Sequence, residues 1–206
     1  MTSTRMVPMF LPEPEIDATV EAAYAANTAD AGYLMNYAHA WAWRQDVANT
    51  FLAARKQLGA STTLPPAEVA VVNAAVAGAR RDPACSLAWG TKLAAHTGPA
   101  AAAGVLGGAT DGLSDRQRAL ARWAAAVATE PNATGEADMA ELRAAGLDDR
   151  EIAEATMLAV FRLAFTAYNA ALGVPADAEL VADAPDEVRR AVTYGRGSEA
   201  YSKVAS

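Results

Sequence analysis

The chain has 206 residues, of which 52 % are hydrophobic and 20 % charged, a globular balance sized for one large domain or two small ones. A net charge of -7 with no clustered Lys and Arg excludes a basic phosphate-binding face, so nucleic acid is not an expected partner. One cysteine excludes an intrachain disulfide and a Cys-only metal site, and it fits a reducing, cytoplasmic compartment.

The prolines of residues 1–14 block regular pairing and predict an extended N-terminal arm, without an apolar core of signal-peptide length. A helix is expected from Glu15 to Ala26, where Ile16, Val20 and Tyr24 repeat every four residues. A turn over Asn27 to Gly32 and the aromatic segment Tyr33 to Trp43 follow. The next helix reaches Leu58 and stops at Gly59.

Thr63 to Glu68 opens a helix that runs to Arg81, and Asp82 starts another that ends at Gly98. Pro99 to Gly112 is rich in small residues and reads as a short helix and a glycine loop. No strand precedes Gly104, Gly107 and Gly108, so this is not a dinucleotide loop. Ser114 to Gln117 is a capping box for a helix to Thr129. A short helix from Glu136 to Ala145 closes at Gly146. Asp148 then caps a long helix ending at Leu172, with Gly173 and Pro175 beyond. Arg162 and Asn169 interrupt its apolar run, so it reads as a core helix and no membrane span is expected. A last amphipathic helix covers Asp186 to Tyr194.

No segment alternates with period two, and alanine is abundant while aromatics are only 7 %. The prediction is therefore all-α: one helical-bundle domain of about eight to ten helices over 15–194, followed by a polar tail over 195–206.

Cys85 is the residue with the most chemical promise. Asp82 is a good N-cap, Pro83 suits the first helical position, and Cys85 lies in the first helical turn. There the dipole and unpaired N–H groups favour a thiolate, which can attack a peroxide and become a sulfenic acid. The Asp82 carboxylate works in the opposite direction by repelling a thiolate. Cys85 is thus read either as a single reactive thiol or as a small packing residue. His96, about 16 Å along the same helix at 1.5 Å per residue, is out of reach as its base. Trp89 is one turn on and can wall a pocket over the thiol, but indole only donates. Lys92, two turns on, is read as solvated.

Tyr37 and His39 sit among Tyr33, Trp41 and Trp43, a cluster able to line an apolar pocket with polar handles or to pack against a second copy of the chain. The two histidines are too far apart for a metal site, so no metal and no cofactor are expected. Large apolar side chains concentrate in Tyr33 to Phe51 and in Met157 to Tyr168. The second is assigned to the core. The stretch Tyr33 to Trp43 of the first is assigned to a subunit interface or a pocket beside it, in a homo-oligomer.

Two stretches, Leu64 to Gly98 and Leu113 to Val174, together about half the chain, resemble the carboxymuconolactone decarboxylase and AhpD-like alkylhydroperoxidase superfamily. Ile16 to Gly59 is similar to the leading helices of its longer, peroxidase-related members. The resemblance implies an all-α homo-oligomer. It also implies a Cys-x-x-Cys-x-x-x-His motif whose positions here read Asp82, Cys85 and Trp89. The second cysteine, which meets the peroxide in the peroxidase members, survives; the resolving cysteine and relay histidine do not. The family also uses a glutamate on the preceding helix, for which Glu68 is the nearest candidate. Where the long C-terminal helix often carries Asn and Arg, this chain has Leu163, Thr166 and Ala167.

Three functions are therefore carried forward. One is hydroperoxide reduction at Cys85 with an external thiol reductant. Another is non-redox chemistry on a small organic acid or lactone, using Glu68, His39 or Tyr37 as acid–base groups. The third is a binding or assembly role for a fold that has lost its chemistry, with a small organic ligand.

Overall fold

The computed structural model describes residues 9–196 and contains no strand among them. The helices are α1 (Ala18–Ala31), α2 (Asn36–Trp41), α3 (Gln45–Ser61), α4 (Pro66–Ala79), α5 (Pro83–Thr97), α6 (Pro99–Leu106), α7 (Asp115–Thr129), α8 (Glu136–Ala144), α9 (Asp149–Ala171), α10 (Ala178–Asp183) and α11 (Asp186–Ala191). A 3₁₀ turn, Ala42–Arg44, joins α2 to α3. None of these helices is long and apolar enough to cross a membrane.

Helix α4 is the centre of the bundle. It is apolar on every side, as a helix enclosed by others must be, and every residue from Ala70 to Gly78 is buried. Helices α5, α6, α7 and α9 pack around it. Gly78 makes the α6 contact possible, because a Cβ there would stand 2.4 Å from the Leu106 carbonyl oxygen. Leu87, Leu93, Leu120 and Val188 complete the main core.

A second, aromatic core lies at one side of α9. Trp41, Phe165, Cys85 and Ala77 form its buried part, and Tyr37, Phe51 and Tyr168 pack against it. The Trp41 ring stacks on Phe51 at 5.0 Å and on Phe165 at 5.6 Å, and its Nε1 donates to Asn169 Oδ1 at 2.8 Å. The N-terminal segment is fastened across this region. The Phe10 N–H donates to the Leu172 carbonyl at 3.0 Å, and Trp43 Nε1 donates to the Pro12 carbonyl at 3.0 Å.

Several local expectations change. Asn27 to Ala31 continue α1 instead of turning, and Gly32 ends the helix at φ 84°. Asn27 supports the chain beyond the turn: its Oδ1 accepts from the Met35 N–H at 2.9 Å. Gly59 lies inside α3, which runs on to Ser61. Helix α10 forms in a stretch with no predicted element. Trp41 is buried in the aromatic core and lines a cavity, the pocket alternative of the expectation, whereas Met157 and Val160, assigned to the core, are each 50 % exposed. Residues 1–8 of the expected arm and 197–206 of the expected tail lie outside the described residues.

Candidate functional site

The turn that leads into α5 places the cysteine. Arg81 adopts φ 55°, a left-handed position usually given to glycine, and the Asp82 N–H reaches back to the Ala77 carbonyl at 3.0 Å. Asp82 then caps α5 at once, its Oδ1 accepting from the Cys85 N–H at 2.7 Å. Cys85 is thus held at the helix start, as the sequence predicts, but it is only 4 % exposed. Burial pushes its thiol up to about 12, and the Asp82 carboxylate adds to the rise. The Arg162 guanidinium opposes both, with Nη1 3.4 Å from Sγ. The local field therefore holds the sulfur as a neutral thiol.

Arg162 is the hinge of the site. It rises from the middle of α9 and is only 4 % exposed. Its Nε donates to Asn73 Oδ1 on α4 at 2.9 Å, and Asn73 is oriented by donating its own amide to the Val69 carbonyl. One edge of Arg162 thus meets Cys85, while the residue also lines a cleft of about 670 Å³. The cleft walls come from α1, α2, α3, α4, α5 and α9, and include Tyr37, Trp41, Trp89 and Phe161.

Three more cations, Arg55, Lys56 and Lys92, line the same cleft. The Arg55 guanidinium carbon lies 4.6 Å from the Phe165 ring centre, and that of Arg162 lies 5.4 Å from the same ring. Lys92 Nζ is 4.5 Å from the Trp89 ring centre, and the Arg162 guanidinium is 5.0 Å from it. Burial lowers Arg55 to about 10, and the Arg162 charge contributes. Lys92 is lowered by burial, then by Arg162 and Arg55, against a smaller pull from Asp30. Among the described residues none of the four cations forms an ion pair with a carboxylate, although Asp30 also lines the cleft.

The other expected site residues divide. Tyr37 and Trp89 line the cleft. The Tyr37 hydroxyl accepts from Asn27 Nδ2 at 2.8 Å, and burial raises its pKa, so it stays a protonated phenol. Asp82 is buried at the α5 cap and is not part of the cleft wall. His39 is not among the cleft walls: its ring packs on that of Tyr24, which is, and its Nδ1 is 2.7 Å from Glu13 Oε1. Glu68 opens α4, whose other end approaches Cys85, and its carboxylate is held by Arg116 at 2.8 and 3.0 Å. Arg116 also binds Glu151 at 2.8 Å, so Glu68 sits in an ion-pair network tying α4, α7 and α9 together. Arg55, Asn73, Lys92 and Arg162 were not marked as site residues by sequence. The available signal was Arg162 itself, a charge in the middle of an apolar helix stripe. No group of three or more His, Cys, Asp or Glu able to hold a metal occurs among the described residues.

No protein-family model matches the chain, and no curated protein matches it. Solved structures do. One is a protein from Ralstonia eutropha JMP134 described as an alkylhydroperoxidase AhpD core and an uncharacterized peroxidase-related protein. It is 22 % identical, with a TM-score of 0.71 over 84 % of this chain and 94 % of that one. Another is an uncharacterized peroxidase-related protein from Silicibacter sp. TM1040, 21 % identical, with a TM-score of 0.75 over 87 % of this chain and 97 % of that one. The chain therefore has the AhpD-like fold.

Proposed function

We propose that this chain uses its AhpD-like fold to take a small organic acid in the cleft, as a non-redox member of that fold. The supporting observation is the convergence of Arg55, Lys56, Lys92 and Arg162 on one cavity whose walls hold a single carboxylate, Asp30, with no ion pair to any of the four. Four cations facing one carboxylate leave a net positive charge, and an anion among them relieves their repulsion and regains charge-assisted hydrogen bonds. The aromatic walls suit the carbon skeleton of such a ligand. A carboxylate bound there leaves the Tyr37 phenol, kept protonated by burial, as a hydrogen-bond donor lining the same space.

The test is calorimetry and thermal shift with a panel of carboxylates and their neutral amides, followed by product analysis of each binder. At a hundred times Kd, binding contributes about 2.7 kcal/mol, a rise of roughly 5–10 °C for a domain of this size. Arg55→Met and Arg162→Met should each weaken binding about tenfold or more. Equal binding of acids and amides, or no binding by either, overturns the reading. Turnover of a binder makes the site an enzyme's.

The Arg162–Cys85 contact favours a second reading, hydroperoxide reduction by a single thiol. The Cys85 thiolate would attack the terminal peroxide oxygen, break the O–O bond and leave sulfenic acid, with the alcohol released after proton uptake. Two molecules of an external thiol would then return Cys85 to its thiol, forming their disulfide and water. With a thiol near 12, roughly one molecule in 10⁵ is a thiolate at pH 7, which places this reading second. Equal rates of alkyl hydroperoxide consumption by wild type and Cys85→Ala, with dithiothreitol present, would remove it.

A further inference from the structure

The charged cleft does not end at Trp89. A second cavity of about 550 Å³ adjoins it, and the two share Gly59, Val69, Trp89 and Lys92 as walls. Past these residues the lining changes character. Leu64, Pro66, Ala70 and Ala95 supply most of it, with Thr62 and His96 beside them. Leu64 and Ala70 are 4 % and 2 % exposed and belong to the main core, so this second chamber is floored by the apolar interior. The two cavities thus lie side by side, divided by Trp89 and Lys92. The part lined by Arg55 and Arg162 attracts an anion, and the part beyond the indole favours hydrocarbon.

We infer that the acid is an aliphatic carboxylate, its carboxylate held at Arg55 and Arg162 and its chain passing Trp89 into the chamber formed by Leu64, Pro66, Ala70 and Ala95. This rests on the organic-acid reading of the cleft and adds the ligand's shape to it. A compact acid fills only the charged part. A chain that crosses Trp89 removes apolar surface from water on both sides, and each added methylene then tightens binding about three- to fourfold. Lys92 stands at the crossing with its ammonium over the indole, where a chain can lie along its aliphatic stem.

Titration calorimetry of the full chain with acetate, butanoate, hexanoate and octanoate tests this. Affinity should climb steadily with chain length through octanoate. Two variants then narrow the second chamber without disturbing the core. Ala95 and His96 are exposed and line the second chamber but not the charged cleft. Ala95→Trp and His96→Trp should leave butanoate affinity within about twofold of wild type and cut the octanoate advantage at least tenfold. A flat series in wild type, with the short acids still bound, overturns the two-part ligand and leaves the organic-acid reading standing. A rising series that neither variant changes also overturns it. No binding by any of the four acids removes the organic-acid reading and this inference with it.

Discussion

Arg162 Nη1 stands 3.4 Å from Cys85 Sγ while the same side chain lines the cleft shared with Arg55 and Lys92. One buried cation therefore serves two environments. Toward the thiol it offsets part of the cost of burial and of the Asp82 charge. Toward the cleft it is an unpaired positive charge. The electrostatics of Cys85 and the anion affinity of the cleft are consequently linked through a single residue.

The first prediction concerns the thiol. Iodoacetamide should modify Cys85 at pH 8 at least a hundredfold more slowly than free cysteine, because burial and Asp82 both hold its pKa up. Asp82→Asn removes the second of these causes while keeping an equally good helix cap. The variant should react faster than wild type, with its rate–pH profile shifted to lower pH. A profile identical to that of wild type would show that access alone limits the reaction.

The second prediction separates Glu68 from the chemistry. Its side chain is only 8 % exposed, and its partner is Arg116. Arg116→Met leaves Glu68 and Glu151 without their shared cation and should cost about 3 kcal/mol in urea unfolding. Glu68→Gln keeps hydrogen-bonding capacity in place and should lose less. Neither change should alter acid binding in the cleft by more than about twofold, since the network lies away from its walls. A large loss of binding with unchanged stability would return Glu68 to the site.

The third prediction follows from Asp177. Burial raises its carboxyl from 3.8 to about 6, against the hydrogen bond donated by the Asn36 N–H at 2.6 Å. The folded pKa is above the unfolded one, so the native state holds the proton more tightly. Stability from this group is complete below pH 4 and is lost as pH rises through 6. Asp177→Asn, which can still accept from Asn36, should match wild type at pH 4. Above pH 6.5 it should be more stable by about 2–3 kcal/mol, since the rise covers about two pKa units and each is worth 1.36 kcal/mol. Urea melts at the two pH values give the difference, and an equal gain at both would refute the assignment to ionisation.

Much of the fold was legible because its signals are local. Ser114 with Gln117 and Asp148 with Glu151 both form the capping boxes their spacing announces, and Asp82 with Pro83 starts α5. Local signals also misled. Asn27, Asp30 and Gly32 look like a turn, yet the alanines between them carry α1 forward until Gly32 stops it. The site was less legible because its cations lie on α3, α5 and α9, and helical periodicity does not say which faces of distant helices meet. The same ambiguity affected Glu68. Its position before Cys85 in sequence is plain, but α4 carries it to the opposite end of the helix pair, where Arg116 waits.

The last prediction tests the aromatic segment, which the sequence assigns to a subunit interface or a pocket beside it. Its two tryptophans part company in the structure. Trp41 is 9 % exposed, with rings of Phe51, Phe165 and Tyr168 within 4.5–5.6 Å and its indole N–H satisfied by Asn169. Trp43 is 44 % exposed and touches the N-terminal segment through the Pro12 carbonyl. Trp41→Ala opens a cavity in the aromatic core and strands the Asn169 amide, so it should cost about 3–5 kcal/mol. Trp43→Ser gives up one hydrogen bond at the surface and should cost about 1 kcal/mol. Because Trp41 also walls the cleft, its loss should weaken acid binding even at temperatures where the variant stays folded, whereas Trp43→Ser should bind as wild type does. Urea unfolding and calorimetry on the two single variants give both quantities. Equal destabilisation by the two changes would contradict the packing described for this segment.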